Sequence, residues 1–137
     1  MEVDHRKVNR PEQAVILCGG LGTRMRPYTN TMPKPMVTCN GKPFLWHLLH
    51  QLHEKGVCRF FLLTGYRAEQ IEEYFKNGSE WDWQIQYYQG PVEWDTGKRI
   101  WEVQEELDDR FYFYILTILF LFQWIRFLLF MKKMDHL

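Results

Sequence analysis

The run Ala14-Val15-Ile16-Leu17-Cys18, apolar throughout and stopping abruptly at Gly19-Gly20, constrains this chain more than any other stretch. So short an apolar run, closed by glycine, is the pattern of a strand covered on both faces in a parallel sheet. Gly19, Gly20 and Gly22 have no Cβ, so the chain beyond the strand is free to take positive φ and to turn its N–H groups toward an anion. Thr23, Arg24 and Arg26 add a hydroxyl and two guanidinium groups, whose paired donors match phosphate oxygens. Lys34 follows between Pro33 and Pro35. The fixed φ of both prolines narrows the direction of a point charge that suits a phosphate. The stretch has neither the Gly-Lys-Ser/Thr ending of a P-loop nor the glycine spacing of a dinucleotide fingerprint. On their own, its glycines serve equally well as a plain strand-to-helix turn with solvated arginines.

Downstream the chain alternates between strand and helix patterns. Pro43 reads as the first residue of a helix through Phe44-Leu45-Trp46-His47 to Gly56, with Leu45, Leu48, Leu49 and Leu52 as its buried stripe. Val57 to Thr64 is a second buried strand, and Ala68 to Phe75 a helix with Ile71 and Phe75 inward and Glu69, Glu72 and Glu73 solvated. Gln84 to Gln89 alternates like a strand, and Ile100, Val103 and Leu107 mark a further helix. Such alternation predicts an α/β fold: a Rossmann-like, doubly wound, mostly parallel sheet with ligands beyond the carboxyl ends of its strands. His47, His50 and His53 lie three apart on the first helix, but no carboxylate or cysteine joins them at ligand spacing, so they read as ordinary helix histidines.

Equal numbers of basic and acidic residues, 17 each, leave no net field to favour nucleic acid. Cys18, Cys39 and Cys58 are odd in number and widely spaced, which disfavours a disulfide framework or zinc and fits a reducing cytoplasm. Residues 1–13 are polar, without the apolar core of a signal peptide, and read as a flexible lead-in.

The ordered set Gly19-Gly20-x-Gly22-Thr23-Arg24, Pro27 and Pro33-Lys34-Pro35 resembles the signature of sugar-phosphate nucleotidylyltransferases, the enzymes that make nucleoside-diphosphate sugars. Gly41-Lys42-Pro43-Phe44-Leu45-Trp46-His47, and Gly65-Tyr66-Arg67 followed by Ile71-Glu72-Glu73-Tyr74-Phe75, resemble the glucose-1-phosphate cytidylyltransferase and related branches. The likeness runs from Ala14 to about Phe111, the N-terminal, nucleotide-binding part of such a domain. It implies attack by a sugar-1-phosphate on the α-phosphorus of a nucleoside triphosphate, with Mg²⁺ as cofactor. It also implies that Leu17, Gly19, Gly20, Gly22 and Thr23 line the nucleotide, that Arg24 and Lys34 are the catalytic cations, and that Gln89 and Gly90 meet the base or sugar. Thr96-Gly97 would open the next helix as part of the nucleotide site. The family's metal-binding aspartates are missing from this stretch, so no metal ligand is assigned. Asp82 stands where the pattern leads one to expect glycine. The implied partners are a nucleoside triphosphate and a sugar-1-phosphate, with self-association left open.

From Phe111 the composition changes. The segment FYFYILTILFLFQWIRFLLFM holds 18 apolar residues among 21, long enough to span about 30 Å of hydrocarbon. Its flanking charges, Glu105, Glu106, Asp108 and Asp109 before and Lys132 and Lys133 after, would place the glycine loop outside the cell, away from nucleoside triphosphates. A slip of reading frame explains the segment better. One allowed back-translation, with a single T inserted after codon 111, reads FLFLYSDNFVPFPMDKI, a strand followed by Ser-Asp-Asn. The shift also compels Asp from Trp124-Ile125, Glu from Met131-Lys132 and Gly from Met134-Asp135. Residues 111–137 are therefore expected to be an aberrant apolar tail on a truncated, inactive enzyme. A membrane-anchored or regulatory nucleotide-binding module is the other reading.

Overall fold

A computed structural model describes residues 10–20 and 30–116. In chain order its elements are β1 (Gln13–Leu17), β2 (Thr38–Cys39), β3 (Lys42–Pro43), α1 (Phe44–Glu54), β4 (Arg59–Thr64), α2 (Ala68–Phe75), β5 (Gln84–Gln89), α3 (Thr96–Val103) and β6 (Tyr112–Ile115). The sheet runs β5-β4-β1-β6 with all strands parallel. Val15 pairs with Phe61 on one side and with Phe113 on the other. The apolar run at the head of the chain is thus a central strand, and its lack of polar alternation follows from burial on both faces.

Each face carries its own core. Ala14, Ile16, Phe60, Leu62 and Ile85 point to the side covered by α1 and α2, where Leu45, Leu49, Leu52, Ile71 and Phe75 meet them. Val15, Phe61 and Leu63 point the other way, toward Val103 of α3. Helices on both faces make the sheet doubly wound, as the alternation of patterns predicts.

Two connections step outward from β1 to β4 to β5. The third returns across the sheet to β6, on the far side of β1. The order therefore reverses beside β1, and the crevice at its carboxyl end is the position where open α/β sheets bind ligands.

Several boundaries differ from the sequence reading, each for a local reason. Pro43 lies outside α1: its ψ of 146° is extended, and it pairs with Thr38 in a small hairpin before the helix opens at Phe44. Gln13 belongs to β1 and is fully buried, because its carboxamide accepts from Asp108 N–H at 2.8 Å. Asp82 has φ 62°, a left-handed conformation that glycine adopts without strain, which is why glycine is the expected residue there. Residues 112–115 form β6 within the sheet, so the sheet continues past the compositional break at Phe111. Leu116 is buried in the core on the α1 side, and the rest of the apolar segment, residues 117–137, lies outside the described residues.

Candidate nucleotide site at the carboxyl ends of the strands

Three glycines converge where β1, β4 and β5 end. Cys18 N–H donates to Leu63 O at 2.8 Å and Gly90 N–H to Thr64 O at 2.9 Å, so the sheet ladder carries on into the loops. A methyl group on Gly65 would lie 2.9 Å from Gly19 O and 3.3 Å from Gly90 O. Backbone approaches backbone here, and only a residue without Cβ fits.

Arg99, in α3, fills the centre of this junction and is 5% exposed. Its Nη1 donates to Thr64 O (2.7 Å), its Nη2 to Pro91 O (2.7 Å) and its Nε to Trp94 O (3.3 Å). Thr64 O thus uses both lone pairs, one on Gly90 N–H and one on the guanidinium. Every acceptor that Arg99 meets among the described residues is a main-chain carbonyl. Burial lowers its pKa from the ordinary arginine value, with the neighbouring Cys18 opposing the shift. Burial pushes the Cys18 thiol far up, against a smaller opposite pull from Arg99. Cys18 is therefore a neutral, inert core residue and not a nucleophile.

Gly19 is a correction to the sequence reading in its physical cause. Neither Gly19 nor Gly20 takes a positive φ. Gly19 is required by close approach, because a methyl there would lie 2.6 Å from Arg99 Cζ. Among the described residues nothing lies within 4 Å of the side chain that Gly20 lacks. Leu17, the last residue of β1, is half-buried against the α3 side of the sheet. Gly22, Thr23, Arg24 and Arg26 lie outside the described residues.

Lys34 opens a short 3-10 turn, Lys34–Met36, entered from Pro33 at φ −70°. Its side chain is buried at 8% exposure. The approach to it is pinned from α2 and the loop before it, where Tyr66 donates to Asn30 O (3.3 Å) and Gln70 to Thr31 O (2.7 Å).

Gln89 ends β5 and is exposed. Gly90 follows, and the Trp94 indole occupies its open side, with Cε3 2.5 Å from where a Cβ would stand. Trp94 is held by its own N–H on Pro91 O, and Lys98 Nζ stands 5.3 Å above the ring. Thr96 and Gly97 open α3 behind the cap Asp95, whose carboxylate accepts from Lys98 N–H at 2.8 Å. Among the described residues Gly97 meets no close neighbour beyond Asp95 Oδ1 at 3.5 Å. Their link to the junction runs through Arg99.

Sequence reasoning missed Arg99 and Trp94 as members of the site and gave Gly65 no role in it. Arg99 had one signal, a cation on the apolar side of a short amphipathic helix, one turn after its cap.

The three spaced histidines have other employment. His47 Nε2 donates to Cys39 O (2.6 Å), His53 Nδ1 to Val57 O (3.1 Å), and His50 pairs with Glu54 (3.1 Å) while stacking on Trp46. No three His, Cys, Asp or Glu side chains gather to hold a metal ion among the described residues. No helix among the described residues is long and apolar enough to cross a membrane.

Comparison with known proteins gives the same outline. Residues 13–123 match the nucleotidyl transferase family. The glucose-1-phosphate cytidylyltransferase of Salmonella typhimurium is 48% identical over 65 residues, which are 47% of this chain and 25% of that enzyme. The D-glycero-alpha-D-manno-heptose 1-phosphate guanylyltransferase of Campylobacter jejuni is 46% identical over 65 residues, 47% of this chain and 29% of that one. The matched part thus spans about a quarter of the length of these relatives. The crystal structure of HddC from Yersinia pseudotuberculosis complexed with GMP-PN superposes with a TM-score of 0.62 at 32% identity, covering 71% of this chain and 43% of that one. With a doubly wound sheet, a glycine step at its switch point and a family match over most of its length, the chain belongs to the nucleotidyl transferase family.

Proposed function

We propose that this chain carries the triphosphate-binding part of a sugar-phosphate nucleotidylyltransferase, which transfers a nucleoside monophosphate from a nucleoside triphosphate to a sugar-1-phosphate and releases pyrophosphate. The observation that carries this reading is the Gly19-Gly20 step at the carboxyl end of β1, where the strand order reverses and where no described side chain stands within 4 Å of a Cβ at Gly20. In-line displacement at phosphorus needs positioning and charge neutralisation more than covalent help. Main-chain N–H groups of the glycine stretch are assigned to the phosphate oxygens, and Lys34 to the reacting phosphate. Arg24 is assigned to the departing β- and γ-phosphates, and Thr23 lies with it along the tail. Gln89 and the Gly90–Trp94 surface are assigned to the base or sugar. Mg²⁺ is the metal expected of such enzymes, and no residue of this chain is assigned as its ligand. A reducing cytosol is the proposed setting, since that is where both substrates are made.

For the chain by itself the reading is binding without turnover, because no residue is assigned to hold the metal. Calorimetric titration with CTP, GTP, UTP, ATP and dTTP is expected to show one of them bound, and mixing with sugar-1-phosphates to release no pyrophosphate. Absence of binding to all five overturns the nucleotide reading. Pyrophosphate release overturns the inactive one.

A further inference from the structure

We propose that Arg99 is a positioning residue of the phosphate site, acting through the backbone rather than by touching the ligand, and that its uncompensated charge favours a polyphosphate in front of Gly19-Gly20. The proposal rests on the nucleotide reading above and deepens it. Three facts point the same way. The guanidinium lies flat against Gly19, leaving no room for a methyl, so its position fixes how far the first residues of the phosphate stretch can settle toward the sheet. Its three hydrogen bonds tie the end of β4 to both ends of the Pro91–Trp94 turn after β5. No carboxylate balances it among the described residues, whereas the exposed cations Arg59 and Lys98 pair with Asp108 and Glu102. A buried cation held only by carbonyl dipoles leaves positive potential in its surroundings, and that potential is felt most strongly where water is excluded. An anion is the complement of such a site, and Gly20, with no described atom within 4 Å of a Cβ there, marks the direction from which it can come.

A bare lysine cannot reproduce this. Its ammonium has no planar fork to span carbonyls from separate loops. The test uses inorganic tripolyphosphate as a probe free of any base, beside the nucleoside triphosphate the chain binds best and the matching nucleoside. Arg99→Lys is expected to weaken tripolyphosphate about tenfold and Arg99→Met about a hundredfold, the worth of one or two charge-assisted contacts. Affinity for the bare nucleoside is expected to fall by less than that for tripolyphosphate in each variant, since the turn that Arg99 also holds keeps its Trp94 N–H bond to Pro91 O. Gly19→Ala leaves the guanidinium in the chain but pushes it off the loop, and serves as the handle if Arg99→Met fails to fold. In a binding cycle the Gly19→Ala, Arg99→Lys double variant is expected to lose less than the sum of the two single losses, because both changes break one contact. Tripolyphosphate bound equally well by wild type, Arg99→Lys and Gly19→Ala, all cooperatively folded, overturns the proposal while leaving the nucleotide reading intact. A parallel fall in nucleoside affinity makes Arg99 merely structural and overturns it too. A wild-type chain that binds neither tripolyphosphate nor any nucleotide overturns both.

Discussion

The two ends of the same sheet solve one problem with opposite chemistry. At the amino end Gln13 is fully buried, and its neutral carboxamide both donates to Glu106 O and accepts from Asp108 N–H. Donor and acceptor are both spent, and the nearby Arg59 is paired with Asp108 at the surface. At the carboxyl end Arg99 does the equivalent joining with a cation whose acceptors are carbonyls. The amino end closes the fold and leaves no field behind. The carboxyl end closes the fold and leaves a charge, and glycines keep the chain open in front of it. One carries structure alone; the other carries structure and a place for an anion.

The comparison breaks most readily at Gly65. Its missing side chain is bounded by Gly19 O and Gly90 O, and main chain cannot rotate aside. Gly65→Ala is expected to cost about 2–3 kcal/mol, the scale of overpacking in a close-packed site, together with phosphate binding; denaturant titration beside calorimetry checks both. Gln13→Leu attacks the other end. It strands the Asp108 N–H and is expected to cost about 2 kcal/mol, as a lost buried partner does, with nucleotide affinity unchanged. Loss of affinity in that variant would erase the distinction between the ends.

Cys18 sharpens the contrast through pH. A thiol held protonated in the fold but ionising in the unfolded chain near pH 8.5 makes the unfolded state the weaker proton binder above that point. Its contribution is whole below about pH 8.5 and is lost as pH rises, by up to about 1.4 kcal/mol per pH unit. Melting temperatures between about pH 8 and 10 are expected to fall in wild type and to flatten in Cys18→Ala.

Gly20→Ala gives the smallest effect on the fold and the cleanest separation of fold from function. With no described atom in the way and no positive φ to strain, the substitution is expected to raise stability by about 0.4–1 kcal/mol. It is also expected to weaken tripolyphosphate roughly tenfold, by placing a methyl in the ligand's path. A more stable variant with undiminished binding would move the site away from Gly20.

Local patterns carried much of this protein. Largely apolar runs can be satisfied only between two covered faces, so Ala14 to Cys18 and Val57 to Thr64 already name the centre of a parallel sheet. Helix Ala68–Phe75 and strand Gln84–Gln89 agree with their spacing to the residue, because turn residues bound both and each has one clear buried face. The glycine, Pro33-Lys34-Pro35 and Thr96-Gly97 patterns gave the family. What the linear chain could not contain is which distant atoms meet. Gly19 looks like a hinge in sequence and is in fact a contact surface for a side chain 80 residues away. Arg99 looks like one more solvated helix charge until α3 folds over the sheet and its fork finds the ends of two neighbouring strands. Periodicity reports which face of an element is buried; only the packed sheet decides what a buried charge is facing, because its solvation is supplied by carbonyls brought together from separate loops.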